Sequence, residues 1–419
     1  MSHRIWELWT EAQKVRMGDM LSLMGREDLF DDFPIIQVAG TNGKGSVCAY
    51  LAKVLEEAGY KVGLFTSPHL YRETERIRIN GEEIDLKYLT RKLDAIYEEV
   101  PETRLFSAYL AVAMEYFDKE RVDIAVVETG LGGAMDVTSA LLPILCCTCT
   151  IGLDHMEVLG ETLEEIAVQK AGIAKPGIPM VLYPVIGEAA RAAFTAECQR
   201  LGAPVLPLEE ADFSIEEHRG KIRLDYHRDG LMLDGIQIPL LGRHQAYNAA
   251  TAIRCAEALR EMGYTIADDA IRRGIEGTVH QGRLEVIGEE PLVLVDGAHN
   301  VEGAMALRDA VQSIAFGRPV YLLTAMMADK DVDGVAKILW PMAEKVVATL
   351  AKEERGMDPE KLAAHYGEKA VAVTDPKAAY ERIREMTPTD GVIVIAGSLY
   401  LPERIGLNEM EKGRTEEWN

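Results

Sequence analysis

The sequence predicts an α/β protein in two units: a larger one built on a mainly parallel sheet, then a smaller, Rossmann-like α/β unit. Three observations carry this. Apolar runs of strand length alternate with stretches whose apolar residues recur at helical spacing. The first such run is joined to the helix behind it by a glycine-rich turn, Gly40-Thr-Asn-Gly-Lys-Gly-Ser46. A fresh strand–helix alternation starts at Pro291. At 419 residues the chain exceeds the length at which single cores stop growing, so two domains are expected, 1–288 and 289–419.

Residues 1–33 read as helical, packing under the first strand, which runs from Pro34 to Ala39. Behind it a helix from Val47 to Ala58 stops at Gly59. Strand, glycine turn and helix are the context of a phosphate-binding P-loop. Glycines let backbone N–H groups approach phosphate oxygens, and the helix N-terminus adds partial positive charge. Thr41, Asn42, Gly43, Gly45 and Ser46 form that cradle; Lys44 supplies a full charge and Ser46 a hydroxyl for phosphate or Mg²⁺. The match to the usual pattern is imperfect, because Val38 stands at its first glycine and Gly45 separates Lys44 from Ser46.

A second strand covers 61–65, and the polar stretch 70–84 reads as a functional loop closed by a small hairpin at Asn80-Gly81. Helices are expected over 85–99 and 105–117, then a strand over 122–127 that ends at Glu128. Another strand over 141–151 runs into Gly152-Leu-Asp-His155. The pair Thr162 and Glu165 opens a helix over 162–174 as a capping box. A strand over 178–182 and a helix over 188–201 follow. Residues 212–240 alternate and carry turn signals at Asp229-Gly230 and Asp234-Gly235, so a β-hairpin stretch is expected. Helices over 245–262 and 267–276 close the first unit. In the second, strands are expected over 291–296 and near 319–324, 345–349, 370–373 and 392–396, with a frayed acidic tail after Pro402.

Composition, with 48% hydrophobic and 27% charged residues, is that of a soluble globular enzyme. No apolar run approaches the roughly 20 residues a membrane helix needs, and the first residues lack a signal-peptide stretch. A cytoplasmic location is the expectation. The formal charge of −23 repels nucleic acid and anionic membranes. Cys146, Cys147 and Cys149 lack paired C-x-x-C spacing and read as buried strand cysteines rather than a metal site.

Parallel sheets bind ligands beyond the carboxyl ends of their strands. Four strand ends each deliver a candidate here: the glycine loop, Ser67, Glu128 and Asp154-His155. Parallel strands place these ends together. A hydroxyl and a carboxylate beside a triphosphate suit Mg²⁺, which prefers oxygen ligands; imidazole is its unusual ligand, so His155 is the weaker member. Taken alone, Glu128 reads equally as a capping or ion-paired carboxylate, and His155 as a hydrogen-bonded structural histidine. Together they indicate a Mg²⁺-dependent nucleotide-binding enzyme, without naming its acceptor.

The chain resembles the folylpolyglutamate synthase/dihydrofolate synthase family of the Mur ligase group along nearly its whole length. The stretches that carry the likeness are Gly40-Thr-Asn-Gly-Lys-Gly-Ser46, Thr66-Ser-Pro-His-Leu70 with Glu75-Arg-Ile77, Glu128-Thr-Gly-Leu-Gly-Gly133 and Gly152-Leu-Asp-His155. Lys170-Ala-Gly172, Gly242-Arg-His-Gln245, Asn248-Ala-Ala250 and Gly282-Arg-Leu-Glu285 continue the series. Asp296-Gly-Ala-His-Asn300, Asp329-Lys-Asp331 and Gly397-Ser-Leu-Tyr400 complete it. The resemblance implies a central-domain-like Mur ligase unit followed by a glutamate-ligase unit. It also implies an ATP- and Mg²⁺-dependent ligase that phosphorylates a folate carboxylate and passes the acyl group to the amine of L-glutamate.

By that resemblance Gly43 to Ser46 hold the phosphates, while Ser67, Glu128 and His155 bind two Mg²⁺ ions. Lys170 is carbamylated to become an anionic ligand, or else is a plain helix-surface lysine. Asn248, Arg283 and Asp296 contact the nucleotide from across the cleft, His299 lies beside it, and catalysis needs the two domains to close. Lys44, Lys170 and His299 are the catalytic candidates. A monomer is implied by the same likeness. Departures gather where the acceptor should sit: Glu73 replaces an aromatic, Phe106-Ser107 a Phe-Glu, Gly133-Ala-Met-Asp136 lacks an arginine, and Thr138-Ser139 replaces Thr-Asn. An amide ligase of the same chemistry acting on another carboxylate is therefore the alternative. A P-loop kinase or NTPase leaves Asp296-Gly-Ala-His-Asn300 unexplained, and a non-catalytic binding module does not explain Lys44, Ser67, Glu128, His155 and Lys170 together. Arg72, Arg76 and Arg78 either gather anionic glutamate tails or form a solvated face.

Overall fold

The computed structural model describes residues 33–352 and 355–407. The helix expected over 1–33 lies outside them except for Phe33, as does the tail end from 408.

A continuous apolar run forms each inner strand of the first sheet, as expected for strands covered on both faces. The strands are β1 (Ile35–Ala39), β2 (Val62–Phe65), β3 (Ile77–Ile79), β4 (Glu82–Glu83), β5 (Ile124–Glu128), β6 (Leu145–Thr148), β7 (Met180–Leu182) and β8 (Val205–Pro207). Their order is β4-β3-β2-β5-β1-β6-β7-β8, with β3 alone reversed and so antiparallel to both β2 and β4. Val38 of β1 lies level with Glu128 of β5 on one side and Cys147 of β6 on the other. Gln37 is the polar exception inside β1; its amide donates to the Thr138 hydroxyl at 2.8 Å, so burial leaves that donor satisfied.

The helices of this unit are α1 (Lys44–Glu57), α2 (Leu86–Glu99), α3 (Leu105–Lys119), α4 (Met156–Leu159), α5 (Leu163–Ala171), α6 (Glu188–Arg200), α7 (His244–Glu261) and α8 (Asp268–Glu276). One face of the sheet packs with Val47, Leu51 and Val54 of α1 and Ile253 of α7. The other packs with Leu110, Met114 and Phe117 of α3. All six cysteines are free and buried, Cys146 and Cys147 on β6 and Cys149 just after it.

Two expectations need correction. The strand predicted over 141–151 is only Leu145–Thr148. A 3₁₀ turn, Val137–Ala140, precedes it, Pro143 has no N–H to give a ladder, and from Thr150 onward the backbone bonds the glycine loop instead. Asp234-Gly235 is no turn. The stretch is a three-stranded antiparallel sheet, β9 (Phe213–His218), β10 (Lys221–Arg228) and β11 (Leu231–Ile238), turning at Arg219-Gly220 and Asp229-Gly230. Gly235, at φ +69°, takes up a bulge inside β11, and its N–H donates to Asp225 Oδ1 at 2.6 Å.

The second sheet comprises β12 (Glu285–Glu289), β13 (Leu292–Val295), β14 (Val320–Thr324), β15 (Lys345–Ala348), β16 (Ala370–Ala372) and β17 (Val392–Ala396). Its order is β12-β13-β17-β14-β15-β16, with β12 alone antiparallel. The sequence pattern did not show β12, a half-buried edge strand, and the boundary expected near Gly288 falls inside its hairpin with β13. Helices α9 (Val301–Ala315), α10 (Val332–Leu339), α11 (Pro359–Tyr366), α12 (Pro376–Met386) and α13 (Leu401–Ile405) complete this lobe. Among the described residues no helix is long and apolar enough to cross a membrane.

Candidate active site

Strands β2, β5, β1 and β6 are consecutive neighbours, so their carboxyl ends share one edge. The expected convergence follows from that order. Gly43, at φ +87°, turns the chain from β1 into α1 and serves as its N-cap without a side-chain cap. The first N–H groups of a helix have no intrahelical partner, and here they face a cleft of about 190 Å³. The loop is held from below. Thr41 N–H donates to Thr150 O at 2.7 Å, Asn42 N–H to the Thr150 hydroxyl at 3.0 Å, and Gly152 N–H to the Thr41 hydroxyl at 2.9 Å.

Lys44 Nζ donates to the carbonyls of Gly40 and Thr41, both at 3.2 Å, and lies 3.9 Å from Glu128 Oε1. Glu128 is 3% exposed, and Ser67 N–H donates to its Oε2 at 2.9 Å. Burial pushes the Glu128 carboxyl above its ordinary range, against the pull of Lys44 and the Ser67 N–H. The Ser46 hydroxyl is buried without a hydrogen-bond partner. An orphaned hydroxyl beside an undercompensated carboxylate fits a hard cation that takes oxygen ligands and keeps waters. Among the described residues no three His, Cys, Asp or Glu side chains assemble into a metal-holding group. The protein's donors are therefore too few to cage an ion alone, which is the usual situation for Mg²⁺ at a triphosphate.

The opposite wall comes from the second lobe and from α7. Thr41 to Ser46, Ser67, Glu128, Asn248, Arg283, Asp296 and His299 all line the cleft. Asn248 packs so closely on the loop that a Cβ at Gly43 would lie 2.6 Å from its Oδ1, a position glycine alone suits. Asp296 accepts from Ala298 N–H at 2.8 Å and Leu284 N–H at 3.0 Å; burial raises its carboxyl, opposed by Arg283. His299 Nδ1 sits 2.7 Å from Gly297 O; a carbonyl only accepts, so this nitrogen carries the proton.

The lobes touch directly. Asn42 and Asn300 exchange side-chain amide hydrogen bonds at 3.2 and 3.1 Å. Asp154 accepts from Asn300 Nδ2 at 3.2 Å and Lys330 Nζ at 2.7 Å. Burial alone would raise the Asp154 carboxyl, but His299, His155 and Lys330 together hold it well below the usual carboxylate range.

Two predicted residues do not line the cleft itself. His155, at φ +50°, follows Asp154 at the start of α4 and lies 3.3 Å from Lys330 Nζ. Lys170 sits in the last turn of α5, 2% exposed, and so is no surface lysine. Burial, helped by Lys44, lowers its pKa to about 7. Sequence reasoning missed Tyr183, whose hydroxyl donates to Asn248 Oδ1 at 3.2 Å, and Glu302 of α9, which lines the cleft. It also missed His280, whose Nε2 would lie 2.9 Å from a Cβ at Gly45. A lone tyrosine or histidine carries no spacing signal; only the fold brings these to the loop.

Residues 38–256 match the Mur ligase middle domain and residues 282–399 the Mur ligase glutamate ligase domain. The chain is 33% identical over 405 residues to a dihydrofolate synthase/folylpolyglutamate synthase of Bacillus subtilis (strain 168), covering 92% of each chain. It superposes with a TM-score of 0.85 and 27% identity on E. coli FolC in complex with DHPP and ADP, covering 96% of this chain and 93% of that one. A bifunctional folylpolyglutamate synthase/dihydrofolate synthase from Yersinia pestis, complexed with AMPPNP and Mn ion, gives a TM-score of 0.82 at 26% identity, covering 96% and 93%. With two Mur ligase domains in order around this cleft, and such likeness along its length, the chain belongs to the folylpolyglutamate synthase/dihydrofolate synthase family of Mur ligases.

Proposed function

We propose that this protein is an ATP-dependent ligase that joins L-glutamate to a carboxylate of a folate, with folylpolyglutamate synthase activity and, for a dihydropteroate acceptor, dihydrofolate synthase activity. One observation carries the reading: a phosphate loop, a buried strand-end carboxylate and the Asp296–Asn300 stretch meet at one cleft between two Mur ligase domains. A carboxylate resists amines because its leaving group would be oxide. Transfer of the γ-phosphoryl group from ATP to a carboxylate oxygen releases ADP and gives an acyl phosphate. The glutamate amine then attacks the acyl carbon, phosphate leaves, and an amide remains.

Thr41 to Ser46 are assigned to the phosphates, with the Lys44 ammonium against the charge that develops on transfer. Asn248, Arg283 and Asp296 are assigned to the nucleotide. Ser67, Glu128 and His155 are the residues that would hold Mg²⁺, which supplies charge neutralisation at the phosphates when bound. His299 is assigned beside the nucleotide, with Nδ1 bonded to Gly297 O and Nε2 3.7 Å from Asp154 Oδ2. The division proposed at 1–288 and 289–419 puts the phosphate loop in the first part, while the second, assigned to glutamate, closes the same cleft with Asp296 and His299.

Lys170 is assigned as a carbamate. What supports this is its burial beside Lys44, Asp154 and Glu302 with a pKa near 7, because the neutral amine is the form that adds CO₂, releasing a proton. A monomer and a cytoplasmic location complete the reading, the first by likeness to the family. Phosphate release from ATP, measured with and without glutamate and with dihydropteroate, tetrahydrofolate or a non-folate carboxylate, tests it. Release that needs both glutamate and a folate is expected; release without either co-substrate refutes the ligase.

A further inference from the structure

The residues Asp329-Lys-Asp331 lie on the second lobe between β14 and α10, yet Lys330 reaches the first lobe. Its side chain is only 11% exposed. Nζ donates to Asp154 Oδ1 at 2.7 Å and stands 3.3 Å from His155 Nε2. An ammonium has three donors and no acceptor, so in this contact Nε2 is the acceptor and uses its lone pair.

That lone pair is the same one a metal ion would need. A neutral imidazole nitrogen has one, and it cannot serve an N–H donor and a metal together. Two cations within a few ångströms also repel strongly in a partly buried site. Asp154, the carboxylate beside His155, is already engaged by Lys330 and by Asn300 of the same lobe. The cross-lobe clamp and a metal on His155 thus draw on the same two residues.

We propose that Lys330 is an internal cation that occupies the His155 Nε2 position when no divalent ion is bound there, and that binding of the ion displaces it. The inference rests on His155 being a metal ligand, as assigned above. It gives Lys330 a positioning role. The same side chain fastens the lobes in the metal-free enzyme and is released from His155 when metal arrives, so that metal loading and lobe contact are coupled. Residues around this contact agree with such an exchange: Lys170, Lys44 and His299 all face Asp154 or His155, and none of them hydrogen-bonds His155 Nε2.

The test is Mn²⁺ binding to the full-length protein in the presence of AMPPNP, followed by electron paramagnetic resonance and by calorimetry. Lys330→Met removes the charge and keeps the length; it should tighten the weaker Mn²⁺ site roughly tenfold, the scale expected for losing one nearby like charge. Lys330→Arg, which keeps the charge, should bind Mn²⁺ as the wild type does. His155→Ala should weaken the same site, and in its background Lys330→Met should tighten Mn²⁺ binding by less than it does with His155 present. Unchanged or weaker Mn²⁺ binding in Lys330→Met, with His155→Ala still weakened, overturns the competition alone. Unchanged binding in His155→Ala overturns the assignment of His155 on which it rests. Melting curves of all four variants without metal separate displacement from misfolding, since a misfolded Lys330→Met would lose AMPPNP binding as well.

Discussion

The two walls of the cleft are built by different means. The first lobe makes its wall largely from backbone: glycines at positive φ and the opening turn of α1, held by Thr150 and Gly152 from the next strand end. The second lobe contributes side chains: Asp296, His299 and Glu302 line the cleft, while Asn300 and Lys330 bond across to the first lobe. A backbone-built wall tolerates little, because nothing smaller than glycine exists. A side-chain wall is adjustable, and its contacts add in smaller steps. The difference predicts a graded set of mutational effects.

The largest belong to the glycine loop of the first lobe, in its backbone and in the charge of Lys44. Lys44→Met should lower coupled phosphate release about a thousandfold, the scale for losing a preorganised charge at a developing anion, with the circular dichroism spectrum unchanged. Gly43→Ala should abolish AMPPNP binding by calorimetry, since its Cβ would press on Asn248 Oδ1 at 2.6 Å and φ +87° disfavours alanine. Near-normal phosphate release in Lys44→Met, or retained AMPPNP affinity in Gly43→Ala, breaks the contrast.

Lys170 comes next, and its effect depends on pH. The folded protein lowers its pKa from 10.5 to about 7. Below that value both folded and unfolded chains hold the proton, so the cost of burying the charge is present in full. Between about 7 and 10.5 the unfolded chain binds the extra proton, and stability rises with pH until the cost is gone. Lys170→Met in CO₂-free buffer should therefore melt higher than wild type at pH 7, and the gap should shrink towards pH 10. Added bicarbonate should raise the wild-type midpoint only. A constant gap across that range contradicts the buried amine.

The side-chain wall gives smaller numbers. Asn42→Ala and Asn300→Ala remove the reciprocal amide pair between the lobes. A double-mutant cycle on ATP binding should return a coupling of about 1 kcal/mol, the net value of a hydrogen bond that water can replace. Zero coupling says that the lobes do not meet there in solution. Smallest of all, Met232→Ser on the exposed face of β11 should shift stability by no more than about 0.5 kcal/mol and leave activity intact.

The same contrast explains what the sequence disclosed. Strand, glycine turn and helix are local, so Thr41 to Ser46 were legible, and so was the convergence of Ser67 and Glu128, because parallel strands must align their ends. The strand pattern misled where one residue changed the local rule. Gly235 carries a turn signal but absorbs a bulge in β11, and Pro143 shortens β6. β12 stayed hidden because its edge position leaves it half exposed and without clear alternation. Contacts between distant segments had no local signature. Nothing in the spacing of Asp154, Asn300 and Lys330 says that one carboxylate gathers two donors from the other lobe, and His280 beside Gly45 is equally silent.

Isotope transfer tests the central claim most directly. With an acceptor whose carboxylate carries oxygen-18, ATP and glutamate, an acyl phosphate requires that one labelled oxygen leave with each phosphate. The account predicts phosphate bearing that label, formed together with the amide. Unlabelled phosphate, its oxygen drawn from water, would contradict it.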